Sequence, residues 1–286
     1  MSTTPFTVSP SEVESSGKAK FDEFGLLLVR GLLPTALIEQ FSDAFRKLIR
    51  LKLGRDGENL DEIYAELCES DPEAALIVKG MGKDLVEYHQ AVAAVELRNV
   101  LTRLMATESF QVNYDQCLFR IDRPDEDARA FDWHQDYLYN MLSKNAITAW
   151  APLTPISSDM GPLRVVPGTH RSVLPVNLLE QAPSGRFTAH RRLELCDIQR
   201  LTEDFDNRAV IVTDVLPGDV LFLHSCVAHR SGPNRSKLSR WVFNPRYGDL
   251  ADPEMLKRNW RTARAKDPFL VLDLYPEMVT TLMATS

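Results

Sequence analysis

The feature that most constrains the fold is a change of pattern near Phe110. Before it, apolar residues recur at helical spacing. After it, apolar segments are short, rich in β-branched and aromatic residues, and separated by Pro, Gly and Asp. We therefore predict a single domain that is mainly β, with a helical N-terminal part at about 1–108, a barrel core at about 109–248 and a C-terminal extension at about 249–286.

The first third predicts specific elements. The segment Ser9 to Glu12 has the hydroxyl and the proline that are typical of a helix start. A second helix begins at Pro34, because apolar residues follow it every three or four positions. A longer helical stretch covers about 72–105, with a break near Gly80 to Gly82. The apolar run Leu26 to Val29 lies between glycines and predicts a short buried strand.

Composition limits the partners. The chain has 286 residues, 44% of them hydrophobic, which is enough for a sizeable core. Its net charge of -7 disfavours nucleic acid and anionic membrane surfaces, so we expect a small-molecule substrate. The four cysteines have no CxxC spacing, and the N-terminus has no signal-peptide pattern. We therefore expect a cytoplasmic protein with free thiols, working as a monomer or a homodimer.

A candidate metal site begins at His134 and Asp136, in the segment FDWHQDY. Two residues apart on a strand, their side chains would point to the same face. Two histidines and one carboxylate on one face of an octahedral ion form the facial triad of non-haem Fe(II) oxygenases. The HxD tripeptide alone is a weak signal, so a third ligand from a later strand has to complete the argument.

The candidates for this third ligand are His170, His190, His224 and His229. His229 ends an apolar segment that follows the turn Pro217-Gly218-Asp219, and it is favoured mainly because of the residues that come after it. His224 lies five residues earlier, and on a regular strand it would face the opposite way. We therefore predict that the catalytic metal ligands are His134, Asp136 and His229.

The segment from His229 to Arg240 runs HRSGPNRSKLSR, so Arg240 stands eleven positions after the histidine. This segment resembles the distal motif of the phytanoyl-CoA dioxygenase family. The segment GPLRVVPGTH at 161–170 is similar to another motif of that family, with Thr169 in place of a serine. These motifs and the HxD tripeptide occur in the family's order, and the resemblance covers about 21–246.

The resemblance implies a double-stranded β-helix, a jelly-roll or cupin-like barrel, that uses Fe(II), 2-oxoglutarate and O2. It implies that Arg240 binds the C5 carboxylate of 2-oxoglutarate, a role that suits a planar guanidinium. It implies a structural role for His170. The further positions that it implies for the cofactor pocket are Ser231, Gln135, Trp150 and Arg120.

Substrate contacts are predicted around the same segment. Tyr137 and Tyr139 follow the HxD tripeptide, and Phe131 precedes it. Aromatic side chains, some with polar tips, suit a ligand of mixed polar and apolar character. Arg246 is a candidate contact for a substrate carboxylate or phosphate.

The reaction that the resemblance implies is hydroxylation of a small metabolite at an unactivated C–H bond, with release of succinate and CO2. Desaturation, epimerisation and ring formation stay open, because they use the same cofactors. Halogenases of this superfamily have a small residue in place of the carboxylate ligand, so Asp136 argues against halogenation. A non-catalytic barrel should lack a ligand or Arg240, and a cupin enzyme with another metal would not need Arg240.

Overall fold

The computed structural model of this chain describes residues 4–126, 132–179, 192–263 and 270–282. Of these described residues, helices account for 44% and strands for 23%, so the fold is mixed α/β. The prediction of a mainly β chain is therefore wrong in the proportion of helix to strand, because helices dominate the first third and recur later. The α-helices are α1 (Lys18–Phe24), α2 (Thr35–Leu53), α3 (Leu60–Ser70), α4 (Pro72–Met81), α5 (Val86–Val92), α6 (Val95–Met105), α7 (Tyr137–Asn140), α8 (Ile198–Arg208), α9 (Pro253–Lys257) and α10 (Leu270–Leu274).

The strands form three sheets. They are β1 (Thr7–Val8), β2 (Leu26–Val29), β3 (Phe110–Val112), β4 (Leu118–Asp122), β5 (Ile147–Pro152), β6 (Leu163–Val166), β7 (Val176–Leu179), β8 (Arg192–Leu195), β9 (Val210–Val212), β10 (Val220–His224), β11 (Ala228–Ser231), β12 (Arg240–Asn244), β13 (Arg246–Asp249) and β14 (Val279–Leu282). The large sheet has the order β1-β2-β10-β5-β12-β4, with β13 pairing β5 and β3. The small sheets are β11-β6-β9 and β14-β7-β8. Across the described ranges these strands form separate sheets and no closed barrel.

Several predicted elements are confirmed. The segment predicted as a helix start at Ser9 to Glu12 opens a 3-10 turn, and the helix that follows Pro34 is α2. The stretch predicted over 72–105 is helical and is interrupted by a 3-10 turn at Gly82–Asp84. Strand β2 is the predicted Leu26–Val29, and it joins the large sheet beside β10. The N-terminal part therefore contributes to the sheet as well as to the helical layer.

The two faces of the large sheet bury different partners. Side chains alternate along each strand, so Phe222 and Phe243 pack with the helices, whereas Leu221, Leu223 and Val242 face the other way. That second face shares one apolar cluster with residues of β6 and β9 in the small sheet. The space between the large sheet and the sheet β11-β6-β9 is therefore where a buried site can form.

Phe41 of α2 attaches the helical layer to the sheet. Its ring lies 4.9 Å from the Phe119 ring on β4 and 4.6 Å from the Phe243 ring on β12, both edge to face. Such pairs add to the large apolar area that an aromatic side chain buries. The helical layer thereby supports the two strands that carry Arg120 and Arg240.

Gly161 permits a close approach between two of the sequence motifs. It has φ of 67°, and a Cβ added there would collide with the carbonyl oxygen of Gly232. Only glycine combines this conformation with so little space. The glycines of the GPLRVVPGTH and HRSGPN segments are thus in contact in the fold.

In the described part of the chain, no helix combines the length and the apolar character that crossing a bilayer would require.

Phe41→Ala should lower the free energy of unfolding by about 3–5 kcal/mol, because it removes a fully buried ring and leaves a cavity. Leu51→Ala is the control, since Leu51 lies on the same helix with 82% of its surface exposed, and it should change stability by less than about 0.5 kcal/mol. Urea unfolding followed by circular dichroism measures both. Equal losses in the two variants would contradict this role of Phe41.

Candidate metal centre

His134 and His229 are neighbours across a backbone bridge. The N–H of each donates to the carbonyl of the other at 3.0 Å, so the two segments lie antiparallel and side by side. Their ring centroids are 4.2 Å apart, and His134 Nε2 lies 3.9 Å from Asp136 Oδ1. One ligand atom from each of His134, Asp136 and His229 lies within 4.8 Å of the other two. The structure thus brings the three predicted ligands into one cluster.

The local backbone differs from the one expected. His134 lies in a loop with a single bridge to β11, and Asp136 directly precedes the short helix α7. The expectation of a regular strand through the HxD tripeptide is therefore wrong. The turn into α7, rather than strand alternation, brings the Asp136 carboxylate beside His134.

His224 lies apart from the cluster, as predicted, but for another reason. A turn separates β10 from β11, so His224 and His229 belong to different strands in different sheets. His224 Nδ1 accepts the Cys226 N–H at 3.1 Å, and its ring packs 5.3 Å from that of His170. Strand parity therefore does not explain the difference between the two histidines. His190 lies outside the described residues.

Backbone carbonyls fix the orientation of both imidazoles. His134 Nδ1 lies 2.7 Å from the Asp132 oxygen, and His229 Nδ1 lies 3.0 Å from the Val227 oxygen. A carbonyl can only accept, so each Nδ1 carries a hydrogen and each Nε2 is the ring nitrogen left to bind a metal. This is the tautomer that a metal ligand needs, and each ring is held by the residue two positions before it.

His134 and Asp136 are in the protonation states that binding of a cation requires. Burial, together with the neighbouring His229, lowers the pKa of His134 to about 3, so this imidazole is neutral. Burial alone would raise the pKa of Asp136, but the Arg246 guanidinium outweighs it and holds that pKa well below its ordinary value. Two imidazoles and one carboxylate form the donor set of the facial Fe(II) triad, so these residues fit that metal.

The cluster opens into a cavity whose empty volume is about 700 Å³ when the part that is open to solvent is included. Its lining residues include nine predicted site residues, namely His134, Asp136, His229, Arg240, Ser231, Trp150, Arg120, Tyr139 and Arg246. The cavity is thus where most of the sequence-predicted residues meet.

Arg240 is held by Asp122, its neighbour across the β4–β12 pair. Its Nε and Nη2 donate to Asp122 Oδ2 at 3.2 and 2.9 Å, while the Nη1 atom is buried and makes no hydrogen bond to any residue that the structure describes. Arg120 donates to the other oxygen of Asp122 at 2.8 Å. A buried donor without a partner is costly, so Arg240 Nη1 is suited to bind an anionic ligand in the cavity.

Two contacts fix the strand on either side of Arg240. The Asp61 carboxylate at the start of α3 accepts the Ser239 N–H at 3.2 Å and the Trp241 Nε1–H at 3.1 Å. The loop before Ser239 folds around Asn234, which donates to the carbonyls of Asp122 and Leu238 at 2.9 and 2.8 Å. The spacing of His229 and Arg240 thus corresponds to two strands joined by one braced loop.

Two of the predicted residues that the structure describes, Gln135 and Tyr137, do not line the cavity. Gln135 points away from it, because it lies between two residues that face the metal cluster, and it bonds the backbone of Ser172, Leu174 and Cys226 instead. The Tyr137 hydroxyl pairs with the Tyr275 hydroxyl at 2.9 Å in a separate core. The predicted pocket role of Gln135 and substrate role of Tyr137 therefore lack a contact in this structure. Phe131 lies outside the described residues.

Tyr139 and Arg246 line the cavity but also have structural partners. The Tyr139 hydroxyl donates to the Leu193 carbonyl, and its ring lies 6.0 Å from that of His134. Arg246 donates to both oxygens of Asp136, at 3.2 and 3.3 Å. The guanidinium predicted to contact a substrate is thus directed at a metal ligand.

Sequence reasoning missed Asn244 and Thr148. Both line the cavity, and Asn244 Oδ1 is buried without a hydrogen-bond partner among the described residues. Asn244 lies four residues after Arg240 on β12, so strand alternation from that arginine was the signal that could have found it. Thr148 lies two residues before Trp150 on β5, so the same alternation places it in the cavity, but its contact with Asp136 is visible only in the tertiary fold.

Comparison with known proteins identifies the family. A profile of the family described as phytanoyl-CoA dioxygenase (PhyH) matches residues 21–242. The 1-deoxypentalenic acid 11-beta-hydroxylase of Streptomyces arenae is 25% identical over 230 residues, which are 76% of this chain and 73% of that protein. The peroxisomal phytanoyl-CoA dioxygenase of Homo sapiens is 24% identical over 229 residues, 76% of this chain and 63% of that protein.

Solved structures share the fold. The epimerase SnoN, solved with Fe3+, alpha ketoglutarate and nogalamycin RO, has a TM-score of 0.55 at 17% identity and covers 84% of this chain and 85% of its own. The carbocyclase SnoK from nogalamycin biosynthesis has a TM-score of 0.55 at 17% identity, with 88% and 93% covered. With the family profile matching more than three quarters of its length, the chain belongs to the phytanoyl-CoA dioxygenase (PhyH) family of Fe(II)/2-oxoglutarate-dependent oxygenases.

Proposed function

We propose that this protein is a dioxygenase that hydroxylates a small-molecule metabolite at an unactivated C–H bond, using Fe(II), 2-oxoglutarate and O2. The observation that carries the proposal is one cavity lined both by the cluster of His134, Asp136 and His229 and by the unpartnered Nη1 of Arg240. The first group fits the metal, and the second fits a carboxylate of the co-substrate.

Different residues of the cavity would bind the metal and the co-substrate. His134, Asp136 and His229 would hold the metal through two Nε2 atoms and a carboxylate oxygen. Arg240 would bind the distal carboxylate of 2-oxoglutarate, with Ser231 and Trp150 forming the adjacent wall. Iron and 2-oxoglutarate, when bound, supply the oxidising chemistry, with succinate and CO2 as by-products.

The remaining wall suits a substrate that is partly apolar. Leu118, Leu163 and Leu223 line the cavity and exclude water from part of it. Asn244 offers a buried carbonyl oxygen that would accept a hydrogen bond from a substrate hydroxyl or amine. Placement of the substrate by these residues decides which C–H bond is presented to the metal.

Hydroxylation is favoured over other outcomes by the Streptomyces relative, which is named as a hydroxylase. Epimerisation and ring formation are the second candidates, because the solved structures of similar fold include an epimerase and a carbocyclase. The mass of the product separates them, since only hydroxylation adds an oxygen atom. We further propose that the protein works in the cytoplasm as a monomer or a homodimer, and its four free cysteines fit a reducing compartment.

Anaerobic titration with Fe(II) and 2-oxoglutarate tests the cofactor assignment. The wild type should develop a weak visible charge-transfer band, and in air a screen of metabolites should release succinate. His229→Ala should weaken the metal-dependent band and succinate release by more than about a hundredfold, because it removes a ligand.

His224→Ala is the matched control, because His224 is a partly buried histidine at the end of β10 that lies outside the cavity. It should keep the band. A wild type without any band, or loss of the band in His224→Ala with retention in His229→Ala, would refute the assignment.

Asp122→Asn should reduce stability in a pH-dependent way. Burial would raise the pKa of Asp122, but Arg120 and Arg240 outweigh it and lower the pKa to about 2 from an ordinary 3.8. Because the folded-state pKa is the lower one, the stabilisation is present above about pH 4 and is lost as the pH falls towards 2. The shift corresponds to about 2 kcal/mol at neutral pH.

Urea unfolding of wild type and Asp122→Asn at pH 7 and at pH 3 measures this difference, which should shrink at the lower pH. Asp125→Asn is the control, because its ion pair with Arg235 is exposed and should contribute less than about 1 kcal/mol. A difference for Asp122→Asn that is the same at both pH values would contradict the charge-based explanation.

A further inference from the structure

The guanidinium of Arg246 donates hydrogen bonds to the predicted metal ligand Asp136 and to the backbone carbonyl of Gln116. Its Nε lies 3.2 Å from Asp136 Oδ2 and its Nη2 lies 3.3 Å from Asp136 Oδ1, while Nη1 donates to the Gln116 carbonyl. Arg246 is 7% exposed and Asp136 is 4% exposed, so water screens this ion pair weakly. The guanidinium therefore sets the orientation of the carboxylate plane.

Thr148 completes the arrangement. Its Oγ1 donates to Asp136 Oδ2 at 2.8 Å, and Thr148 and Arg246 are cross-strand partners in the β5–β13 pair. Asp136 Oδ2 thus accepts two hydrogen bonds, one from Thr148 and one from Arg246. Asp136 Oδ1 accepts one long bond from Arg246 and lies 3.9 Å from His134 Nε2. The two carboxylate oxygens are therefore in different environments.

We propose that Arg246, together with Thr148, is a positioning residue of the metal centre that fixes Asp136 as a monodentate ligand through Oδ1. The inference rests on the proposed function, since it concerns the same metal. Asp136 needs such support because it lies in a loop before α7, and the terminal torsion of an aspartate has a broad energy minimum. Arg246 and Thr148 lie on paired strands of the sheet, and their hydrogen bonds hold the Asp136 carboxylate in one orientation.

The ion pair also changes the charge of the centre. With Arg246 beside it, the negative charge of Asp136 is balanced before a cation binds. Because Arg246 already balances the Asp136 charge, a divalent cation bound there would leave the site with a net positive charge. This charge favours binding of an anionic co-substrate in the cavity. An arginine suits this position better than a lysine, because its fork reaches both oxygens at once.

Two substitutions separate positioning from charge. Arg246→Lys keeps the charge but cannot contact both oxygens, and Arg246→Gln removes the charge. If Arg246 acted only through its charge, Lys would leave cation affinity unchanged and Gln would increase it, because a nearby positive charge repels a cation. If Arg246 positions Asp136, both variants should bind the cation more weakly.

The experiment is anaerobic titration of the purified full chain with Co(II), followed by calorimetry and by visible absorption, which depends on the number and arrangement of ligands. Both Arg246 variants and Thr148→Val should bind Co(II) about 10-fold or more weakly than the wild type, with an altered absorption spectrum. Arg258→Lys is the control, because Arg258 is as buried and donates to the carbonyls of Met141 and Leu142, outside the cavity. It should keep the affinity and the spectrum.

Wild-type affinity and spectrum in Arg246→Lys, or tighter binding in Arg246→Gln, would overturn the proposal. If the Arg246 variants do not fold, Thr148→Val decides, and unchanged Co(II) binding in that variant overturns it. Failure of the wild type to bind Co(II) would instead count against the proposed function. The two ideas can therefore fail separately.

Discussion

The antiparallel backbone bridge between His134 and His229 is the constraint on which the site depends. Two hydrogen bonds of 3.0 Å join a loop to the edge of the sheet β11-β6-β9, and they bring two imidazoles from distant parts of the sequence side by side. Each ring is then oriented by a carbonyl of its own segment. Asp136 follows two residues later, so one local pairing determines where all three ligands lie.

The large sheet contributes the rest through the alternation of its strands. One face packs against the helical layer through residues such as Phe41 and Phe243, and the other carries Arg240, Trp150 and Thr148 into the cavity. A one-residue slip of β12 would exchange these faces and bury apolar rings where Arg240 now lies. Packing of the helices thus protects the register on which the chemistry depends.

Sequence reasoning found the residues whose role is set by short motifs. His229 and Arg240 belong to one strand-loop-strand unit, so their spacing is visible in the chain itself. Sequence reasoning could not predict the hydrogen bonds of Arg246 to Asp136, because the two residues are 110 positions apart. Only the register of the sheet brings them together. Tyr137 was misplaced for a similar reason, since the turn of α7 directs it to Tyr275. The balance of helix and strand was misjudged because helices recur within the part predicted to be a barrel.

The buried charges around the cavity follow one logic. Arg240 and Arg120 share Asp122, and Arg246 pairs with Asp136, so among the described residues three guanidinium groups face two carboxylates. Burial of such ion pairs costs desolvation energy, which offsets part of the attraction between the partners. The excess positive charge is more favourable once an anion is bound, and a bound divalent cation increases that preference further. The positive charges of these guanidinium groups therefore favour the binding of 2-oxoglutarate, a dianion, in this cavity.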